Sequence, residues 1–160
     1  MEFKKLLSVS DDWLKYAIYI NLLNEKRENL AQLREKAIKD GRIREMLKDI
    51  TDFHDILVSN HKNPNLPIHK LLFLFDIGLD SEIPEIRDAT EEICKHKDEY
   101  GVYRSLVNIP KCFGGSGEDT FSWCLCDAPL LLFALVKAGY DYNEYIKNGV
   151  DYLLAFHRDN

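Results

Sequence analysis

Apolar side chains recur at steps of three and four residues over much of the first 58 positions, a spacing that predicts helices. The first helix is expected to begin at Ser10-Asp11-Asp12, because side-chain acceptors and negative charge suit the free amides at a helix start. A second helix is predicted from about 28 to 39, with Gly41 ending it. A third is predicted from about 43 to 58. Their expected inward positions are Trp13, Tyr16, Ala17, Ile20, Leu23, Leu30, Leu33, Ala37, Ile38, Ile43, Met46, Leu47, Ile50, Phe53 and Leu57.

Two similar stretches follow a proline-containing break at 63–67: PIHKLLFLFDIGLD at 67–80 and DAPLLLFALVKAGYD at 127–141. The run Leu-Leu-Phe at 71–73 matches 131–133 at an offset of sixty residues. A Gly-x-Asp turn follows each run, at 78–80 and 139–141. Similarity at a fixed spacing predicts a repeated unit, here an apolar helix, a turn and a second amphipathic helix. The alternative is a chance likeness between leucine-rich helices.

Helical periodicity is absent from 98 to 126, where only GVYRSLVNI at 101–109 suits an extended segment. So long a connection is unusual in a helical domain, and we expect a structured loop with a role or an Ω-like insertion over one end of the core. The predicted fold class is all-α, in a single domain over 1–160. It comprises N-terminal helices over 1–63 and two antiparallel helix pairs over 64–160, with one long loop at 98–126.

Charge and composition narrow the choice of partners and of cellular compartment. The net charge of −6 argues against nucleic acid and against anionic membranes as the main partner. No stretch approaches the roughly 20 apolar residues that a membrane span requires. The N-terminus lacks the apolar run of a secretory signal. The four cysteines are therefore expected to be reduced thiols in a cytoplasmic protein.

Several segments resemble a known superfamily. The run DEYGVY at 98–103 is similar to the Asp-x-x-Gly-x-aromatic ends of repeats in the α/α toroids of terpenoid cyclases and protein prenyltransferases, and YLLAFHRDN at 152–160 resembles the run that precedes Gly-x-Trp there. HKLLFLFDIGL, VNIPKCFGGSGED and LCDAPLLL resemble uncharacterised bacterial and archaeal proteins described as prenyltransferase-like or squalene-cyclase-like. The resemblance implies part of an α/α toroid and an isoprenoid or other apolar ligand.

The acidic motifs of the cyclases are missing from the chain. Cyclases that protonate an alkene use an Asp-x-Asp-Asp cluster, which this sequence lacks. Ionisation-type terpene synthases hold magnesium with Asp-Asp-x-x-Asp, and Asp11-Asp12 has no third aspartate at the required spacing. These two aspartates are better interpreted as a helix cap.

A zinc site is the other chemistry that the resemblance implies, since protein prenyltransferases hold zinc with an Asp, a Cys and a distant His. Cys124, Cys126 and Asp127 bring similar ligand types together, although in a different order, with Cys112 and any of the five histidines as further candidates. The matching downstream His would be His157 or lie outside the chain. The alternative, which we favour, is no cofactor. Asp127 then caps the helix that follows, and the cysteines pack as small apolar residues beneath the loop.

A ligand site, if present, is expected where the long loop meets the start of the helix at 67. Because His69 and Asp127 open repeat-equivalent helices, the two helix starts should lie side by side and favour an anionic group. The alternative is a polar structural network, since Asp127 carries its own negative charge. The candidate ligand-binding residues are His61, His69, Tyr103, Arg104, Asn108, Trp123 and Asp127.

The expected function is that of a ligand-binding or protein-interaction domain. The alternative is a prenyltransferase-like or terpenoid-cyclase-like enzyme with part of its site outside the chain. A repeat array must cover its end faces, so we also expect self-association or continuation into a longer chain. The residues expected to form a self-association surface are Tyr145, Val150, Tyr152, Leu153 and Phe156.

Overall fold

The computed structural model describes the backbone of residues 3–53 and 55–158 and the side chains of residues 4–53 and 55–155. Within this part of the chain lie eight α-helices and one antiparallel pair of strands, so the helical prediction is confirmed in outline. The helices are α1 (Phe3–Val9), α2 (Asp12–Asn21), α3 (Ala31–Lys39), α4 (Gly41–Asp49), α5 (Pro67–Asp76), α6 (Pro84–Lys95), α7 (Ala128–Ala138) and α8 (Lys147–Arg158). The strands are β1 (Ser105–Asn108) and β2 (Asp119–Ser122). Short 3₁₀ turns occupy Arg27–Leu30 and Lys111–Phe113, and a π turn occupies Tyr142–Ile146.

The N-terminal helices differ from the prediction at their ends. Gly41 does not end a helix but begins α4, and the Asp40 carboxylate caps that start by accepting the Arg42 backbone N–H at 3.0 Å. Asp11 precedes α2 without capping it, and its carboxylate instead accepts from the Arg42 guanidinium at 2.6 Å. The predicted third helix is too long, because α4 stops at Asp49.

Two local signals place α5 and α7 as expected. Each helix has proline in its first turn, where the missing N–H costs nothing. Each is followed by a glycine of positive φ, Gly78 at 92° and Gly139 at 84°. The two helices pack against each other, with Leu71 and Leu131 both buried.

The matching phenylalanines, two residues further along each helix, differ in environment. Phe73 packs against Trp13, with ring centroids 5.8 Å apart, whereas Phe133 is 46% exposed. The N-terminal helices therefore cover one aromatic ring of the matching pair and leave the other open to solvent.

The long loop contains a β-hairpin: β1 lies within the segment at 101–109 that was expected to be extended, whereas β2 was not predicted. β1 pairs with β2 in antiparallel register, with Leu106 opposite Phe121. Val58, predicted to be helical, instead donates its backbone N–H to the Leu106 carbonyl at 2.8 Å. The Phe121 ring stacks on His96 at the end of α6, with centroids 3.9 Å apart. The hairpin is thereby anchored against α6 and against the turn that follows α4.

A single hydrophobic core joins the N-terminal helices to both helix pairs. Among its fully buried members are Tyr16, Ile43, Leu47, Leu71, Leu74, Ile86, Tyr103, Leu131 and Leu135. Across the described residues, no helix combines the length and the apolar character needed to cross a membrane.

Candidate metal-binding site

The first part of the site is the short segment that enters α5. Asn60 organises its turn, because its side-chain carbonyl accepts the Lys62 N–H at 3.1 Å and its backbone carbonyl accepts the Asn63 N–H at 3.0 Å. His61 lies inside this turn and is partly exposed. The His69 ring, in the first turn of α5, approaches the His61 carbonyl oxygen with Nε2 at 2.9 Å. The turn is therefore tied to α5 by a side chain as well as by the backbone.

The second part is the turn that enters α7. The Cys124 carbonyl accepts the backbone N–H groups of Asp127 and Ala128 at 3.2 and 3.0 Å, which folds Cys124 and Asp127 towards each other. Asp127 occupies the N-cap position of α7, as predicted, but its side chain makes no capping hydrogen bond to the helix. Its carboxylate is instead directed at His61.

The two turns bring three different ligand types together. His61 Nδ1 lies 2.8 Å from Asp127 Oδ1, and Cys124 Sγ lies 4.0 Å from both ring nitrogens of His61. One candidate ligand atom from each residue lies within 4.8 Å of the other two. Imidazole, thiolate and carboxylate are the groups that bind Zn²⁺ in proteins.

The carboxylate of Asp127 is under-satisfied in this environment. The residue is only 4% exposed, and its Oδ2 atom has no hydrogen-bond partner among the described residues. A buried polar atom without a partner costs about 1–3 kcal/mol, and more when it is charged. Such an atom beside a histidine and a cysteine is a position that a cation would stabilise.

The thiol of Cys124 is held in its protonated form. Burial is the largest influence that raises the pKa of Cys124 above its ordinary value, and the negative charge of Asp127 acts in the same direction. Backbone N–H groups of Cys126 and Asp127 act against this shift but do not cancel it. Without a cation, a thiolate here would face a buried carboxylate.

The predicted site residues divide into two groups. His61, His69 and Asp127 lie together, joined by the two contacts described above. The others make contacts elsewhere. Tyr103 is fully buried and donates its hydroxyl to the Tyr145 carbonyl at 2.8 Å, a structural contact.

Arg104, Asn108 and Trp123 also take their contacts from outside the cluster. Arg104 Nε donates to the His96 carbonyl at 3.4 Å. Asn108 spans the hairpin to Asp119 Oδ1 at 2.7 Å. Trp123 packs edge-on against Tyr152, at 5.9 Å between centroids. These contacts join Tyr103, Arg104, Asn108 and Trp123 to other residues than His61, His69 and Asp127, and the grouping of all seven around one ligand stays a prediction.

The predicted zinc ligands coincide in part with this cluster. Cys124 and Asp127 belong to it, whereas the exposed Cys126 is not among its three members. The histidine that completes the cluster is His61, which precedes the cysteine in the chain. The side chain of His157, which the resemblance offered as one candidate, lies outside the described residues. The Cys-x-x-Asp sequence at 124–127, before a helix with proline in its first turn, was the local signal for two of the three cluster residues. It did not indicate which histidine would complete the cluster.

A second feature is an apolar face between α7 and α8. Its open members include Phe133, Val136 and Leu154, each about half exposed. Of the residues expected to form a self-association surface, Val150 and Leu153 lie along this face. Tyr152 is stacked on Tyr100, whereas the side chain of Phe156 lies outside the described residues.

Comparisons with models of known protein families, with curated proteins and with solved structures yielded no match to this chain. The resemblance to the α/α-toroid superfamily therefore stays a prediction.

Proposed function

We propose that the protein is a zinc-binding domain whose metal is held by His61, Cys124 and Asp127. The observation that carries the proposal is the buried Asp127 carboxylate, which has an unpartnered oxygen among the described residues and lies beside two further zinc-ligand types. A structural role alone explains the hydrogen bond between His61 and Asp127. It does not explain a buried, unpartnered carboxylate oxygen next to a thiol.

The separations between the candidate ligand atoms fit a small tetrahedral ion. Ordinary zinc bond lengths place a ring nitrogen and a carboxylate oxygen about 3.4 Å apart, and a sulfur and a nitrogen about 3.6 Å apart. The corresponding separations here are 2.8 Å between His61 and Asp127 and 4.0 Å between Cys124 and His61. One distance must lengthen and the other shorten, each by roughly half an ångström. Side-chain adjustments of that size require no change of backbone.

The same three residues also suggest a thiol nucleophile with a histidine base and an orienting aspartate. The geometry favours zinc over this alternative. In such a triad the sulfur approaches the ring nitrogen that the aspartate does not bind, whereas Cys124 Sγ is equally far from both nitrogens of His61. A lowered thiol pKa is a second route to activation, and burial instead raises the pKa of Cys124.

Three protein ligands leave one position of a tetrahedral zinc ion for an exchangeable ligand, which is typical of catalytic sites and not of closed structural ones. Bound there, zinc would supply a Lewis acid that polarises or deprotonates that ligand. His61 is partly exposed, so the site is accessible from solvent. We therefore propose a ligand-binding site, with a zinc enzyme of the prenyltransferase-like type as the more specific version.

The proposal of a toroid-like repeat has independent support. α5 and α7 share the proline start, the glycine end of positive φ and a buried leucine at the matching position. Each following turn also has an aspartate that accepts a backbone N–H, Asp80 from Glu82 and Asp141 from Glu144. We propose that the pairs α5–α6 and α7–α8 are two copies of one unit.

The zinc proposal is tested by metal content and by cobalt substitution. Protein stripped with a chelator and reloaded should hold one zinc per chain, and Co²⁺ should give the ultraviolet charge-transfer band of a thiolate ligand. Cys124→Ser should abolish that band. Cys112→Ser is the matched control, since Cys112 is an exposed thiol in the hairpin. A wild-type protein that takes up no metal, or a Cys124→Ser protein that binds it unchanged, would overturn the proposal.

A further inference from the structure

His69 has no place among the three zinc ligands, yet it contacts the segment that carries one of them. Its Nε2 atom lies 2.9 Å from the His61 backbone carbonyl oxygen. A carbonyl oxygen only accepts hydrogen bonds, so Nε2 must carry the proton and donate it. The contact therefore fixes which nitrogen of His69 is protonated and ties its ring to the position of the His61 backbone.

The two ends of this hydrogen bond differ in how firmly they are held. His61 lies in a turn whose neighbours at 59–65 are mostly exposed to solvent. His69 lies in the first turn of α5, between the buried Ile68 and Leu71. The bond thus attaches an exposed turn to a helix that is packed in the core.

The helix that carries His69 also contacts the helix that follows the other two ligands. α5 packs against α7, whose first residue, Ala128, directly follows Asp127 and is fully buried. Cys124 and Asp127 are held in place by the turn that enters α7. The separation of His61 from these ligands therefore depends on one side-chain hydrogen bond to α5 in addition to the turn's own bonds.

We propose that His69 is a positioning residue for the metal site: its donated hydrogen bond holds the His61 segment where the imidazole meets Cys124 and Asp127. The inference rests on the proposed zinc site and deepens it. Removal of groups that orient metal ligands lowers metal affinity by about 10- to 100-fold. We expect a loss in that range when the Nε2 donor is removed.

The experiment compares three substitutions at one position. Gln reaches about as far as His Nε2 and can donate to the carbonyl, Asn donates but is too short, and Leu cannot donate. Zinc affinity is measured by competition with a chromophoric chelator, and Co²⁺ spectra report ligand geometry. We expect His69→Gln to bind like the wild type, with His69→Asn and His69→Leu weaker by about 10- to 100-fold. Asn21→Leu is the matched control, since the Asn21 side chain also donates to a backbone carbonyl, that of Asp76 at the opposite end of α5.

The outcomes separate this inference from the zinc proposal. A wild-type protein that binds no zinc defeats both. Wild-type binding with unchanged affinity and cobalt spectrum in His69→Leu overturns only the positioning role. If His69→Leu does not fold, the comparison of Gln with Asn decides. Equal affinities of those two variants would overturn the positioning role, and a weaker Asn variant would support it.

Discussion

The imidazole of His61 shares a hydrogen bond with the carboxylate of Asp127, with Nδ1 2.8 Å from Oδ1, although the two residues are 66 positions apart in the chain. One side of that carboxylate is therefore satisfied by a partner from another turn. The other oxygen, Oδ2, is buried with no hydrogen-bond partner among the described residues. The two oxygens of one buried carboxylate therefore differ in whether they have a hydrogen-bond partner.

Asp127→Asn should weaken zinc binding without lowering the stability of the metal-free protein. The amide keeps an acceptor for His61 and removes a buried charge, so the metal-free variant should be as stable as the wild type or more so. Saturating zinc at about 100 times the dissociation constant should stabilise the wild type by about 2.7 kcal/mol. The variant should lose most of that gain. Thermal denaturation with and without zinc measures both effects.

Asp98→Asn provides the control for this change. The Asp98 carboxylate accepts the backbone N–H groups of Tyr100 and Val102 at 2.9 and 2.8 Å, and it has no proposed ligand role. We expect the substitution to lower metal-free stability by about 1 kcal/mol and to leave the zinc-induced gain intact. A zinc-induced gain that survives in Asp127→Asn would contradict the assignment of Asp127 as a ligand.

Zinc binding should release a proton from Cys124. The pKa of this thiol is raised, first by burial and also by the charge of Asp127, so the metal-free thiol is protonated at neutral pH. Zinc binds the thiolate, so its affinity should rise by about tenfold per pH unit below the thiol pKa. Calorimetry in two buffers of different ionisation enthalpy counts the protons released. Cys124→Ser should release one fewer, and an unchanged count would exclude thiolate ligation.

Matching positions of α5 and α7 should respond differently to truncation. Leu131→Ala and Leu71→Ala each empty a fully buried site and should cost about 2–5 kcal/mol. Phe133 is half exposed, so Phe133→Ala should cost less than about 1 kcal/mol, whereas Phe73→Ala should cost more because it removes the contact with Trp13. Urea denaturation measures all four. A large loss in Phe133→Ala would show that the α7–α8 face is covered in solution.

Two glycines of similar φ should differ in their tolerance of alanine. Gly139 has φ 84° and open space where a Cβ would lie, so Gly139→Ala should cost only the left-handed strain of about 1–2 kcal/mol. Gly101 has φ 85°, and a Cβ there would lie 2.8 Å from the Cβ of Asn148 on α8. Gly101→Ala should therefore be more destabilising than Gly139→Ala in the same denaturation assay. Equal costs would mean that the loop at 101 moves freely away from α8.

Local sequence determined most of the helices and several of their ends, although it did not predict α1. Apolar spacing located the stripes of α2, α5, α6 and α7 because helix periodicity is encoded within a few neighbouring residues. Proline in the first turn and glycine after the last turn of α5 and α7 act through backbone geometry alone. These features needed no knowledge of the rest of the chain.

Tertiary structure decided where α4 stops and where the strands form. The apolar spacing continues past Asp49, but Val58 bonds to Leu106 of the hairpin and so leaves the helix. The sequence indicated an extended segment around β1, but β2 has only four residues, too few to show a clear alternation. Their pairing depends on contacts with His96 and Val58, which lie far away in the chain.

The candidate site also depends partly on local sequence and partly on tertiary structure. The sequence indicated that Cys124 and Asp127 lie together before a helix, because three positions along one turn are neighbours. It did not choose His61 over the other histidines, since that choice depends on the packing of α5 against α7. The burial of Asp127, its unpartnered oxygen among the described residues and the raised pKa of Cys124 likewise come from surroundings assembled from distant segments. Sequence supplied the ligand types, and only the folded chain supplied their distances and the burial of Asp127.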